Sequence, residues 1–485
     1  MTDIRFVCLS DLHFGAENSL LSRLTTSAGD PLVDTSRASD VLVALIDCLK
    51  AIMGGQSRPP TLVLCGDVLE LALANDDVAA TVFMRFVELA FARDEPLFDD
   101  VIYFIPGNHD HHLWEGAREQ QYADYVRGLA TGEPLRPPWH VTRMYGLNDK
   151  DEVYSEFLGV IAQRATARDV KVRVVYPNFA VRSRDGARVA VFHHGHYVES
   201  MYRLMSKLRT ALFPTRQNRD QIWDWEADNF AWIDFLWSTL GRSGDVGTDV
   251  GLIYSTLQDG EARLALVHSL VNRLASSSHR VLACRPARWA LGAALGTAVR
   301  RSGTTERLTK AGSLSPSAQK GLAAYVEGPL RKQLEREAGE DEPIPDDVVF
   351  VFGHTHKPFE ERRMALGYPE GITIYNTGGW VVDSLTTNLP QGAAVVLLDD
   401  DLHVASLRMY NQAVSDEQYK VEVHGEPPLR GTVAPGPLAA ELGEIVRPDA
   451  PPWSSFSLAA AAGVRERQAA LHRIIDRAKH QLAVQ

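Results

Sequence analysis

Cysteine is scarce in this 485-residue chain: Cys8, Cys48, Cys65 and Cys284 stand alone, with no CxxC pair among them. A disulfide framework is therefore excluded, and the thiols read as buried groups of a reducing cytoplasm. Long apolar runs are missing too. None reaches the ~18 residues that a membrane-spanning helix needs, and a first strand beginning at Ile4 leaves no room for a signal peptide. Positive charge is in deficit, with 50 Lys and Arg against 62 Asp and Glu for a formal charge of −12, which argues against indiscriminate coating of nucleic acid. No internal repeat or low-complexity tract stands out. What remains is the composition of a globular protein, 45% hydrophobic and 23% charged, in a chain too long for one ordinary domain.

Histidine is abundant and unevenly placed. Of 16 histidines, nine (His13, His109, His111, His112, His193, His194, His196, His354 and His356) follow short apolar runs. "IRFVCLSDLH" runs to Asp11 and His13, "TLVLCGD" to Asp67, and "VIYFIPGNHDHH" to Asn108, His109 and Asp110. "RVAVFHHGH" and "VVFVFGHTH" repeat the construction. Runs this rich in Val, Ile and Phe, closed by Gly or a polar cluster, predict strands buried on both faces. In open α/β sheets sites form outside the carboxyl ends of such strands, so five ends rich in Asp, Asn and His predict one shared crevice. A polar turn at Gly107–Asn108 explains the Gly and Asn, since both tolerate positive φ, but not the imidazoles.

Spacing extends the reading. Asp11 and His13 are two residues apart and should point to one side of a strand end, as should His354 and His356. Asp67 follows Gly66 in a tight turn, with two carboxylate oxygens to bridge a pair of ions. Asn108 offers a neutral carbonyl oxygen. His194 precedes Gly195, where the missing side chain lets the backbone turn closely. These seven nitrogen and oxygen donors, without thiolate, suit Mn, Fe, Zn or Mg. They are too many for one tetrahedral ion and fit two ions sharing Asp67. Such pairs, about 3.5–4 Å apart, serve in-line displacement at phosphorus.

Asp11-x-His13, Gly66-Asp67, Gly107-Asn108-His109-Asp110, His194-Gly195 and Gly353-His354-x-His356, in that order, resemble the five motifs of the calcineurin-like metallophosphoesterases. The resemblance implies a four-layer α/β/β/α sandwich. It implies metal one on Asp11, His13, Asp67 and His356, and metal two on Asp67, Asn108, His194 and His354, with manganese favoured. It also implies His109 as the group that contacts substrate phosphate and protonates the leaving oxygen, oriented by Asp110, while a hydroxide bridging the metals attacks a phosphate mono- or diester. The chain departs from the family pattern at Glu70, where many members carry Asp or Asn. UDP-diacylglucosamine hydrolases also place helical material between the fourth and fifth motifs, so cleavage of a lipid- or nucleotide-linked pyrophosphate is the alternative reaction; their third motif carries Arg where this chain has His109. The alternative of another class is a non-catalytic binding scaffold, which would have lost ligands that this chain keeps.

The motif positions divide the chain into a core part at 1–196, interrupted by a polar helical insertion at 112–171, then a helical cap at 197–344, a second core part at 345–415, and a linker with an amphipathic helix at 416–485. Residues 34–55 and 80–93 have helical periodicity. The hairpin after the last motif is expected to close the second sheet. The terminal helix is expected to dock on the core or dimerise. Within the cap, Trp223, Trp225, Phe230, Trp232, Phe235 and Trp237 suggest a small helical core. Residues 263–311 carry nine Lys or Arg against Glu306 alone, a surface suited to an anionic substrate, lipid or nucleotide.

Overall fold

The computed structural model describes residues 2–27, 30–92, 94–145, 152–212, 221–234, 306–309, 312–338, 343–428 and 436–484. Its strands, in chain order, are β1 (Ile4–Leu9), β2 (Leu24–Ser27), β3 (Asp30–Val33), β4 (Thr61–Cys65), β5 (Val101–Ile105), β6 (Val153–Tyr154), β7 (Lys171–Val174), β8 (Asn178–Arg182), β9 (Arg188–His193), β10 (Asp347–Phe352), β11 (Phe359–Ala365), β12 (Tyr368–Asn376), β13 (Gly392–Asp399), β14 (Val404–Asn411) and β15 (Glu422–His424). One sheet has the order β15-β14-β13-β1-β4-β5-β7-β6 and the other β11-β12-β10-β9-β8.

The continuous apolar runs have a simple cause, because each sheet is covered on both sides. On β1, Phe6 and Cys8 join the core between the sheets while Val7 and Leu9 face the first helical layer. On β10, Val349 and Val351 face the other sheet while Val348, Phe350 and Phe352 face a second helical layer. A period of two with both faces buried leaves no polar position. The sandwich is therefore α/β/β/α. The first helical layer includes Asp40–Met53, Asp76–Ala90 and the long terminal helix Trp453–Val484. Ser39 caps the 40–53 helix by accepting from the Leu42 N–H at 3.1 Å, and Gly54 follows its last turn.

Helices Pro316–Tyr325 and Arg331–Ala338 of the long insertion pack with Tyr197, Tyr202 and Ile222 against the outer face of the second sheet. They complete the fourth layer rather than only capping the crevice. The helix Ile222–Ile233 carries Trp225 and Trp232 onto this core. Phe235, Trp237 and most of the basic 263–311 stretch lie outside the described residues.

Two details differ from the sequence expectations, and the place of the terminal helix agrees with one of them. The β13–β14 hairpin joins the first sheet, not the second, because β13 pairs antiparallel with β1. The stretch read as linker contains β15, which extends that sheet beside β14, and a helix at Pro437–Ile445 that buries Leu438 and Leu442. The terminal helix docks on the core: Phe456, Ala460 and Val464 are buried, and Arg467 donates to the Ser19 and Ser22 carbonyls. Among the described residues no helix is long and apolar enough to cross a membrane.

Candidate metal centre

β1, β4 and β5 run parallel, as do β9 and β10, so each sheet delivers its strand ends to one edge. The loops that follow are tied across that edge. Asp11 N–H donates to the Gly66 carbonyl (2.9 Å) and Gly353 N–H to the His194 carbonyl (2.8 Å). His354 N–H donates to the Asp11 carboxylate (2.9 Å), joining the two sheets. Asp11, His13, Asp67, His354 and His356 all have φ between 45° and 69°, a left-handed conformation that costs an L-residue about 1–2 kcal/mol. Strain concentrated on these strand ends marks them as built for something other than stability.

The side chains converge in buried space. His194 Nε2 lies 3.1 Å from Asn108 Oδ1, 3.2 Å from His354 Nδ1 and 3.4 Å from Asp67 Oδ2. On the other flank His13 Nε2 is 3.6 Å from Asp67 Oδ2, and His356 Nε2 is 3.3 Å from Asp11 Oδ1. Donor atoms of Asp11, His13 and His356 lie within 4.8 Å of one another, as do those of Asp67, His194 and His354. Asp67 differs from the expectation in one respect. Its Oδ1 accepts the His109 N–H at 2.7 Å, so Oδ2 alone faces both groups.

These residues fit divalent ions on two counts. Among the described residues Asp67 Oδ2, His13 Nε2 and His356 Nε2 are buried with no hydrogen-bond partner, and such atoms are costly unless an ion or water meets them. The far nitrogen of each imidazole is also held by an oxygen. Glu70 Oε2 holds His13 Nδ1 at 2.8 Å and Asp383 Oδ2 holds His356 Nδ1 at 2.6 Å. Glu199 Oε1 holds His354 Nε2 at 3.1 Å, and the Cys65 carbonyl holds His194 Nδ1 at 3.2 Å. Acceptors placed there fix the tautomer that leaves a lone pair on the inner nitrogen, as metal-binding histidines require.

His109 stands beside His13, with ring centroids 4.8 Å apart. Its Nδ1 is 2.8 Å from Glu70 Oε1 and its Nε2 is turned to the centre. Asp110 does not orient this ring, contrary to the sequence expectation. Its carboxylate accepts backbone N–H groups of Gly107 (2.6 Å), Val68 (2.7 Å) and Leu69 (3.3 Å), clamping two turns together. Glu70, whose role the sequence left open, holds both His13 and His109. Gly107 is required for close approach rather than for positive φ, since a Cβ there would fall 2.3 Å from Asp67 Oδ1. At Gly66, with φ of 85°, a Cβ would strike the His194 ring.

Charge follows from this packing. Burial pushes the His194 imidazole down, but Asp67 beside it outweighs burial and raises it to about 9. Burial likewise lowers His109, while Glu70 and Asp67 together leave it above the ordinary histidine value. Burial and the Asp67 charge push Asp110 up to about 7. Burial opposes ionisation of Asp383, yet His356 holds it down at about 2.

His193 and His196 are fully buried behind the centre, in tilted ring contact with Tyr325 and Tyr197 (centroids 4.6 and 4.2 Å), and burial holds both well below the ordinary histidine value. His111 and His112 face Asp234 instead, at 3.6 and 3.5 Å. Asp383 and Glu199 enter the site without any signal in the sequence, on loops with no motif. Arg307 is one of the nine basic residues of the 263–311 stretch, but nothing in the sequence singles it out, 198 residues from the His109 it approaches.

No curated protein matches the chain. The family described as calcineurin-like phosphoesterase matches residues 4–237, which include the strand ends of β1, β4, β5 and β9 but not that of β10. Residues 4–237 thus match the calcineurin-like phosphoesterase family, and the sandwich brings His354 and His356, beyond the matched stretch, to the same centre.

Proposed function

We propose that the chain hydrolyses a phosphate mono- or diester with two divalent ions, one held by Asp11, His13, Asp67 and His356 and the other by Asp67, Asn108, His194 and His354. The observation that carries this reading is the set of four imidazoles whose outer nitrogens are all held by oxygens while the inner nitrogens gather around Asp67 and Asp11. Divalent ions bound there supply Lewis acidity to a phosphate oxygen and a nucleophilic water at neutral pH.

The protein's own groups do the rest. Glu70 steadies the His109 ring and favours its protonated form, so Nε2 can hand a proton to the leaving oxygen. Asp110 acts as a positioning residue, fixing the turns that carry Asp67 and Asn108. The 197–344 insertion serves as a cap that selects substrate, between core parts at 1–196 and 345–415. The donor set accepts Mn, Fe, Zn or Mg, and manganese is the first to test.

The test is hydrolysis of p-nitrophenyl phosphate and bis-p-nitrophenyl phosphate by protein reconstituted with each metal, followed by a panel of nucleotides. Release from either ester supports the reading. No release with any metal or substrate would leave a binding scaffold as the function.

A further inference from the structure

Arg307 comes from the short 306–309 stretch of the insertion, and its side chain is only 6% exposed. One guanidinium nitrogen lies 3.3 Å from His109 Nε2 and 3.6 Å from Asp67 Oδ2. These are the nitrogen that Glu70 leaves facing inward and the oxygen that the His109 N–H leaves open. The insertion thus places a permanent cation at the heart of the centre.

Its position is built, not incidental. The Arg307 carbonyl accepts from Gln391 Nε2 at 2.9 Å. Next to it, Glu306 Oε1 accepts from the Ser315 N–H (2.8 Å) and lies 3.3 Å from Lys357 Nζ, on the residue after His356. Glu306 N–H reaches Glu199 Oε1 at 3.4 Å, the same carboxylate that holds His354. Glu199, which orients the proposed ligand His354, therefore also helps to fix the backbone that carries Arg307. A preorganised guanidinium loses little freedom when it meets a ligand.

Divalent ions shared on Asp67 would take up the negative charge that now faces Arg307. Like charges so close together are stable only with an anion among them. The planar fork of a guanidinium matches phosphate oxygens. We propose that Arg307 is a phosphate-binding residue that the insertion delivers to the metal centre, and that its charge makes the site prefer a phosphomonoester to a diester. A monoester carries about −1.5 to −2 charge at neutral pH, so an added buried cation favours it over the monoanionic diester. The inference rests on the phosphoesterase reading and narrows its substrate class.

The experiment compares wild type, Arg307→Ala and Arg307→Lys, all metal-loaded, with metal content and melting temperature recorded for each. Calorimetry with inorganic phosphate reads binding without catalysis. Hydrolysis of the mono- and bis-p-nitrophenyl esters reads selectivity. Arg307→Ala should bind phosphate about tenfold to a hundredfold more weakly at unchanged metal content, the loss expected for charge-assisted hydrogen bonds. It should raise KM for the monoester, and the monoester-to-diester ratio of kcat/KM should fall about tenfold. Arg307→Lys, which keeps the charge but not the fork, should recover part of the binding. Should the alanine variant not fold, a loss of several-fold in the lysine variant carries the same conclusion, and no loss there overturns the proposal. Unchanged phosphate affinity, equal losses on both esters, or a gain of activity would each overturn it, the last by showing a plug. Wild type that hydrolyses neither ester would instead sink the phosphoesterase reading, which the calorimetric comparison does not depend on.

Discussion

Replacing Glu70 by glutamine should disable one metal position and spare the other. Glu70 is buried, and its two oxygens do different things. Oε1 takes His109 Nδ1 at 2.8 Å together with the N–H groups of Ala72 (3.1 Å) and Leu73 (3.0 Å). Oε2 takes only His13 Nδ1, at 2.8 Å. A glutamine must keep its carbonyl oxygen at the Oε1 position, since an amide NH2 there would face two backbone donors. The NH2 then falls opposite His13 Nδ1. That nitrogen must become an acceptor, which moves the His13 proton to Nε2, the atom facing Asp67. A ligand carrying a proton on its donor atom cannot bind metal. Outer partners of this kind are worth about 10–100-fold in metal affinity, or roughly 1.4–2.8 kcal/mol. Loss of one charge-assisted hydrogen bond, about 1.5–3 kcal/mol, has the same size. Competition against a chromophoric chelator should show one of two binding steps weakened by that factor and the other within about twofold of wild type. Two unchanged steps, or two equally weakened ones, would refute the assignment of His13 as a ligand held by Glu70.

Two further outcomes follow from the same geometry. His109→Ala should lower kcat by about 10²–10⁴ with metal content nearly unchanged, and the loss should be smaller for p-nitrophenolate, a leaving group needing little protonation, than for an alkoxide; equal losses would make phosphate binding its job instead. Asp234→Asn should cost stability mainly in mildly acidic solution. Burial opposes both charges of the His111–Asp234 pair, yet each partner holds the other ionised, raising His111 above its ordinary 6.5 and lowering Asp234 below its ordinary 3.8. The histidine contribution is complete below its unfolded value and is lost as pH rises through the folded one. That of the aspartate is complete above its unfolded value and is lost as pH falls. The melting temperature of the variant should therefore drop by about one to two degrees near pH 6, at roughly 1 °C per kcal/mol for a chain of this length, and by less near pH 9, and an equal drop at both would contradict the pair.

Most of the frame was legible in the sequence because its strands are buried on both faces and end in Gly and polar clusters, which is a local signal. The converging set Asp11, His13, Asp67, Asn108, His194, His354 and His356 was legible for the same reason: each follows one of five such strands. What the sequence hid was pairing across distance. Nothing near Gly392–Asp399 shows that this strand pairs with Ile4–Leu9 rather than with the second sheet. The family resemblance implied that Asp110 orients His109, whereas the turn aims Asp110 at backbone N–H groups and leaves the ring to Glu70, 39 residues earlier. Positive φ was expected at Gly107–Asn108 and is found instead at Asp11, His13, Asp67, His354 and His356. Asp383 carries no motif and Arg307 is one of nine basic residues in the 263–311 stretch, so only the folded chain singles them out.

The central claim is that Asp67 Oδ2 is shared by two metal positions. Elemental analysis of protein kept free of chelator, wild type beside Asp67→Asn, tests it most directly. The account predicts close to two divalent ions per wild-type chain, both lost together in the variant, because each position depends on that one oxygen. A wild-type value consistently at or below one, or a variant that keeps one ion at full occupancy, would contradict it.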